Sequence, residues 1–71
     1  MGLSISMKIK LASKAAGVPI AELARRIGTT PQNLRQRLKV DKFTSEEIEK
    51  IAAALGCVFT VVFIFPDGTR I

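Results

Sequence analysis

The 71-residue sequence contains no His, Trp or Tyr and only one Cys, Cys57. Without His, and with a single thiol, the chain cannot assemble within itself a zinc site or a Cys/His or Ser/His catalytic pair. One Cys also forms no internal disulfide, which fits a reducing compartment. These absences predict a protein that is not an enzyme and that holds neither a metal nor another cofactor.

The other chemically active residues have simpler roles. Glu46, Glu47 and Glu49 fall in the first turns of a predicted helix, where carboxylates favour the positive end of the helix dipole. Cys57 begins an apolar stretch and has no neighbouring base in the sequence. The sequence has no glycine-rich phosphate-binding loop, and we find no pattern typical of a small-molecule substrate site.

Long apolar runs are also missing. The longest, Cys57 to Pro66, is broken only by Thr60 and has about half the length of a membrane-spanning helix. Residues 1–14 carry three lysines and no continuous apolar segment of the kind found in a signal peptide. We therefore expect a cytoplasmic protein without a membrane partner.

What is present is typical of one small folded domain, spanning 1–71. The composition is 48% apolar and 24% charged, which is ordinary for a globular chain. The charge is uneven, because residues 1–42 hold nine basic and two acidic side chains whereas residues 43–71 hold two basic and four acidic ones. A basic front half favours a polyanionic partner on one side, although solubilising lysines would give the same count.

Apolar spacing and capping residues predict four helices. Helix 1 follows a cap at Ser4 or Ser6, carries Met7, Leu11 and Ala15 at helical spacing, and stops at Gly17. Helix 2 spans about 19–27 and helix 3 about 31–39; Pro19 and Pro31 suit first helical positions. Helix 4 spans about 45–55 and begins with a Thr44–Glu47 capping box.

Residues 57–71 read as a C-terminal β-hairpin or strand. All residues from Val58 to Phe65 are β-branched or aromatic, and Pro66-Asp67-Gly68 forms a turn. Only residues 69–71 remain to fold back, and they pair with about 63–65. The predicted fold class is therefore mainly α with a small β element.

Helices 2 and 3 have the features of a helix-turn-helix. They are short, joined by a tight turn at Gly28, and Ala24 is small where the two helices must cross closely. The stretch Ala21-Glu22-Leu23-Ala24-Arg25-Arg26-Ile27-Gly28-Thr29-Thr30-Pro31-Gln32-Asn33-Leu34 resembles the Cro and phage-repressor type of helix-turn-helix, the Xre-like family. The similarity extends through Phe43-Thr44 and the Ile51–Gly56 segment, so residues 7–56 form the helical core of a four-helix, repressor-like domain.

The resemblance implies that helix 3 is a recognition helix and that Pro31, Gln32 and Gln36 meet base edges. A rotation of ~100° per residue agrees, because it places Gln32 and Gln36 almost opposite the apolar Leu34 and Leu38. Gln and Asn can pair with adenine and Arg with guanine in the major groove. The base-reading candidates are Pro31, Gln32, Asn33, Arg35 and Gln36.

Basic side chains around helix 3 are candidates for phosphate contacts. The set comprises Thr30, Arg37, Lys39, Lys42 and Lys14. Two positions depart from the family pattern: Ile20 stands where relatives often have a phosphate-binding Gln, and Pro31 offers no side-chain hydrogen bond. Both departures bear on which bases helix 3 reads and not on how it docks.

The C-terminal strand is apolar on both faces, and Cys57 to Val62 have no partner within the chain. A free apolar edge of this kind is a template for association. The sequence therefore predicts a homodimer through strand pairing, with a hairpin packed only on its own helices as the alternative. The dimerisation candidates are Phe59, Val61, Val62, Phe63 and Phe65.

Together these features predict sequence-specific binding of double-stranded DNA by a homodimeric transcriptional repressor of phage or mobile-element type. The alternative is a protein-interaction module or antitoxin-like subunit whose C-terminal strand binds another protein. RNA binding is a weaker third alternative, because the aromatic residues are concentrated in the strand.

Overall fold

The computed structural model of the chain describes residues 3–71 and contains four helices in that part of the sequence. They are α1 (Ile5–Ala16), α2 (Ile20–Arg26), α3 (Pro31–Val40) and α4 (Ser45–Ala54). The protein is therefore mainly helical. None of these helices has the length and apolar character needed to cross a lipid bilayer.

Side-chain caps fix where three of the helices begin. The Ser4 hydroxyl accepts the Met7 amide at 3.1 Å, and the Thr30 hydroxyl accepts the Asn33 amide at 3.1 Å. At α4, Thr44 and Glu47 form the predicted capping box. Each cap satisfies an amide that has no partner within its helix. At α2, Pro19 occupies the cap position in an extended conformation, one residue before the helix begins.

The core lies where the four helices meet. Leu23 and Ala24 of α2 are fully buried, and Leu34 and Leu38 of α3 are 2% and 5% exposed. Ile9, Val18 and Ile51 complete this cluster, and Ile27 packs against it while half-buried. This packing is consistent with the prediction that Ala24 is small where α2 and α3 cross and that Leu34 and Leu38 form the apolar side of α3. The turn between these helices uses Gly28 with φ of +81°, a conformation that favours glycine.

The face of α1 that packs on the core differs from the predicted one. Met7 and Leu11, expected in the apolar stripe, are 47% and 51% exposed, and Ala15 is exposed as well. Ser6 and Ser13 are buried instead, with Ile9 between them.

Hydrogen bonds explain why serines replace apolar residues on this face. The Ser6 hydroxyl donates to the Leu38 carbonyl at 2.7 Å, and the Ser13 hydroxyl donates to the Val18 carbonyl. A buried hydroxyl is stable when it is hydrogen-bonded, and here each also satisfies a carbonyl oxygen. The spacing of apolar residues in the sequence does not predict these hydrogen bonds.

The segment after α4 contains no β-strand within residues 3–71, in contrast to the strand predicted from Val58 to Phe65. One isolated antiparallel bridge joins Ile64 to Arg70, with hydrogen bonds between Phe63 and Ile71 and from the Phe65 amide to the Thr69 carbonyl at 2.8 Å. The short return therefore lies where it was expected. Among the described residues the pairing extends no further than Phe63 with Ile71.

The molecule is elongated. Its radius of gyration is 13.3 Å, above the ~11 Å expected for a compact domain of this length. Its extents are 44 × 24 × 20 Å. Val58, Val61, Phe63 and Ile64 are each at least 65% exposed, so much of the apolar segment lies outside the helical core.

The packing of α1 leads to a stability prediction. Ser13→Ala removes a buried hydroxyl and leaves the Val18 carbonyl without its partner, so we expect a loss of about 1–3 kcal/mol in the free energy of unfolding. Leu11→Ser, on the exposed face, changes it by less than about 0.5 kcal/mol. Urea denaturation measures both, with Ser45→Ala on exposed α4 surface as the control. A larger loss for Leu11→Ser than for Ser13→Ala would contradict this packing.

Candidate nucleic-acid interface

Helix α3 is held to the protein along one edge. Leu34 and Leu38, four residues apart, are its buried residues, and they enter the core beside Leu23 and Ala24 of α2. Pro31 at its first turn is half-buried. The rest of the helix surface is exposed, so α3 presents most of its circumference to solvent.

The predicted base-reading side chains lie on that exposed surface. Gln32, Asn33, Arg35 and Gln36 are all exposed, and Pro31 is half-buried beside them. One shallow concavity on this surface is lined by Thr30, Pro31, Gln32, Arg35, Gln36 and Lys39. Its members carry amide, guanidinium and ammonium groups, which are the groups that recognise base edges and phosphates. The concavity thus contains four of the five candidates, namely Pro31, Gln32, Arg35 and Gln36, whereas Asn33 is exposed but does not line it.

The end of α3 is fixed to α1 by Asp41. This residue ends the helix in the left-handed conformation, with φ of +56°, and its carboxylate accepts the Ser6 amide at 2.7 Å. That amide belongs to the first turn of α1, where a negative charge is favoured. The contact with Ser6 lowers the pKa of Asp41. Sequence inspection missed this contact because 35 residues separate its partners.

A second set of contacts fixes α3 to α4 through Arg37. The guanidinium lies 2.7 Å from Glu47 and donates to the Lys42 carbonyl at 2.8 Å. It also lies over the Phe43 ring, 5.5 Å from the centroid, in a cation–π contact. Arg37, predicted to contact phosphate, is therefore engaged within the chain, although its side chain remains 44% exposed.

The carboxylate of Glu47 serves two elements at once. It accepts the Thr44 amide at 3.0 Å within the capping box, and it pairs with Arg37. The Thr44 amide first, and the Arg37 guanidinium second, lower the pKa of Glu47 to about 2. The capping role was evident from the sequence, whereas the ion pair was not.

The other predicted phosphate-binding residues are distributed over the surface. Lys39 and Lys42 are exposed at and just beyond the end of α3, and Lys39 borders the concavity of the base-reading face. Lys14 is exposed in the last turn of α1, beside Lys10, Gly17 and Pro19. The Thr30 hydroxyl already accepts the Asn33 amide as a cap. Arg25 and Arg26 both pair with Glu22, so they contribute less free positive charge.

The predicted dimerisation residues differ in exposure. Phe59 is half-buried, whereas Val61, Val62, Phe63 and Phe65 are 72%, 43%, 71% and 47% exposed. Phe59 borders an apolar groove between α1 and α4 with a volume of about 160 Å³. Its walls include Ile5, Ile9, Ala12, Ile48, Ile51, Leu55 and Cys57.

No group of three or more His, Cys, Asp or Glu residues within residues 3–71 is arranged to hold a metal ion. Comparison with protein-family models, with curated proteins and with solved structures finds no match. The resemblance of residues 7–56 to Cro and phage-repressor helix-turn-helix proteins therefore stays a prediction.

The charge of Glu47, which interacts with both the Thr44 amide and Arg37, can be tested without deleting the capping side chain. Glu47→Gln keeps a side chain that can complete the capping box but removes the negative charge beside Arg37. Because the folded-state pKa of Glu47 is lowered, the stabilisation by its charge is complete above about pH 4.5 and is lost as the pH falls towards 2.

Thermal unfolding followed by circular dichroism should therefore give a lower Tm for Glu47→Gln than for the parent chain at pH 7, with the difference disappearing near pH 2. Glu49→Gln, an exposed carboxylate of the same helix, serves as the charge-matched control. A Tm difference that is independent of pH would contradict the assignment.

Proposed function

We propose that the chain binds double-stranded DNA with α3 in the major groove and reads sequence through Gln32 and Gln36. The observation that carries this proposal is the exposure of both side chains on the face opposite the buried Leu34 and Leu38. A major groove ~12 Å wide admits an α-helix with its side chains. Helix α3 is attached along one edge only, so its free face is available for such docking.

The polar groups on this face suit recognition of DNA. Gln32 and Gln36 can each pair bidentately with adenine, Asn33 can do the same, and Arg35 can pair with guanine. Pro31 has an apolar surface that can contact a thymine methyl group. Lys39, Lys42 and Lys14 supply positive charge for phosphates, which positions the helix without selecting a sequence.

The contacts of Arg37 and Asp41 support a second part of the proposal. They attach the carboxyl-terminal end of α3 to α4 and α1, respectively, without using the base-reading face. Holding a helix rigidly before binding lowers the entropy lost on binding. Arg37 therefore acts mainly as a positioning residue, with its exposed part available to a phosphate.

A homodimer completes the proposal. Two copies paired through their C-terminal segments, which would form the β element expected from the sequence, can place two α3 helices on one face of DNA at half-sites ~34 Å apart. Occupying a promoter in this way is sufficient for repression, so we assign the chain a role as a transcriptional repressor. The target site should then be an inverted repeat.

The exposed apolar C-terminal segment also favours a second candidate, a protein-interaction module that binds a different protein. Val58, Phe63 and Ile64 are 84%, 71% and 65% exposed, which is a large apolar area for an isolated chain. Purification of the chain alone separates the candidates. A discrete dimer supports the DNA-binding homodimer, whereas an aggregating chain that is rescued by a co-expressed partner supports the interaction module.

The base-reading assignment is tested by selecting duplexes from a random library and then comparing variants on the selected site. Gln32→Ala combined with Gln36→Ala should reduce the preference for this site over random duplex by roughly 30-fold or more, since each bidentate contact contributes about 1–3 kcal/mol. Salt-sensitive binding to random duplex should remain, because it depends on the cations.

Fluorescence anisotropy at several salt concentrations measures both quantities, with Ser45→Ala as a neutral control on α4 and circular dichroism to verify folding. Retention of the full site preference by the double variant would refute base reading by these glutamines. Failure to enrich any duplex sequence would refute sequence-specific binding.

A further inference from the structure

The backbone from Val58 to Val62 lacks partners in the described chain. Within residues 3–71, none of these five residues takes part in a backbone hydrogen bond, and neither does Ile64. The next residue, Phe63, exchanges hydrogen bonds with Ile71, so its amide and carbonyl point towards the return segment. Residues 57–63 form no helix, turn or bend. Peptide groups alternate in direction along an extended segment, so an extended conformation of 58–64 would direct those of the even-numbered residues 58, 60, 62 and 64 to the opposite, open edge.

This open edge fits a second copy of itself. The even-numbered residues 58, 60, 62 and 64 can pair antiparallel with the same residues of another copy. All four take part in this pairing when the two-fold axis passes through Val61. Val58 then lies opposite the partner's Ile64, and Thr60 opposite the partner's Val62. Each such pair exchanges two hydrogen bonds. A pairing centred on Thr60 would leave Ile64 outside the ladder.

The same register places exposed aromatic side chains over an apolar surface of the other copy. Residues opposite each other share a face of the sheet, so Phe63 lies opposite the partner's Phe59 and Phe65 opposite the partner's Cys57. Cys57, Val58 and Phe59 all line the groove between α1 and α4, and of these three Phe59 is the half-buried one. The two exposed phenylalanines of each copy are thus directed to the one surface where the half-buried Phe59 already packs on helices.

The size of the groove agrees with an aromatic occupant. Its volume is about 160 Å³, and its lining is predominantly apolar. An apolar cavity of ~150 Å³ accommodates a benzene ring in another protein. Phe63 and Phe65 are 71% and 47% exposed, and their burial would remove on the order of 200 Å² of apolar surface from water in each copy.

We propose that a second copy of this chain occupies the α1–α4 groove, with the segments 58–64 paired antiparallel about Val61 and with Phe65 of each copy inserted beside Cys57 of the other. This inference rests on the homodimer of the proposed function and assigns its register and contacts. Phe63 packs on the partner's Phe59, and the open edge of each segment is closed by the other.

The register is tested by disulfide formation in the full chain. Val61→Cys in a Cys57→Ser background places two thiols opposite each other in a non-hydrogen-bonded pair, whose Cα separation of ~4.5 Å is suitable for a disulfide. Mild oxidation should give a covalent dimer in high yield. Val58→Cys in the same background is the matched control, because its two thiols would lie ~20 Å apart and should not cross-link.

The groove contacts are tested by sedimentation equilibrium. Phe65→Ala and Phe63→Ala should each raise the dimer dissociation constant by at least tenfold, whereas Ile71→Ala, at the end of the return segment and 70% exposed, should change it by less than threefold. A parent chain that is monomeric at tens of micromolar overturns the proposal. Cross-linking at 58 rather than 61 overturns the register.

These outcomes are independent of DNA. A dimer with the expected cross-link but no site preference would refute the proposed function and leave the interface intact. A monomer that still selects a half-site through α3 would refute the interface and leave DNA recognition intact.

Discussion

The burial of Leu34 and Leu38 is the interaction on which the remaining features of the candidate site depend. These two side chains, one helical turn apart, are the only part of α3 that is inserted into the core of the described chain. Because an α-helix turns ~100° per residue, burying them fixes Gln32 and Gln36 on the opposite side. The direction of the polar face is therefore a consequence of apolar packing, and any change in that packing rotates or releases the face.

The contacts at the end of α3 add to this constraint in a different way. Asp41 joins α3 to the first turn of α1, and Arg37 joins it to Phe43 and Glu47 at the start of α4. All of these groups are near the surface, where single ion pairs contribute little to stability. Their combined effect is geometric, since together with the Ser6–Leu38 hydrogen bond they limit sliding and rotation of a helix whose buried side chains are two leucines.

Much of the helical fold could be predicted from the sequence, because its signals are local. Thr30, Thr44 and Glu47 cap helices through amides three residues away, and the leucines of α3 define its buried face by spacing alone. The orientation of α1 could not be predicted in this way. Its buried Ser6 and Ser13 depend on carbonyls of Leu38 and Val18, and a hydrophobic pattern ranks Met7 and Leu11 above them.

In the candidate site, too, some features follow from local sequence spacing and others depend on tertiary packing. The exposed face of α3 follows from helical periodicity, whereas the engagement of Arg37 by Glu47 requires knowing how α3 and α4 pack. The C-terminal segment was expected to be a strand because of its β-branched and aromatic residues, but strand formation also needs a partner edge. Among residues 3–71 only 69–71 pair with this segment, so propensity alone overestimated the β structure.

The central claim, that the free face of α3 contacts DNA, is tested most directly by titrating the 15N-labelled protein with a selected duplex and following its amide and side-chain NH₂ resonances. If α3 contacts DNA, the largest shifts occur at Gln32, Asn33, Gln36 and Lys39, with the NH₂ groups of both glutamines among them, and shifts along Glu46 to Lys50 of α4 are small. Shifts concentrated on α4 or on residues 58–65, with α3 unchanged, would contradict it.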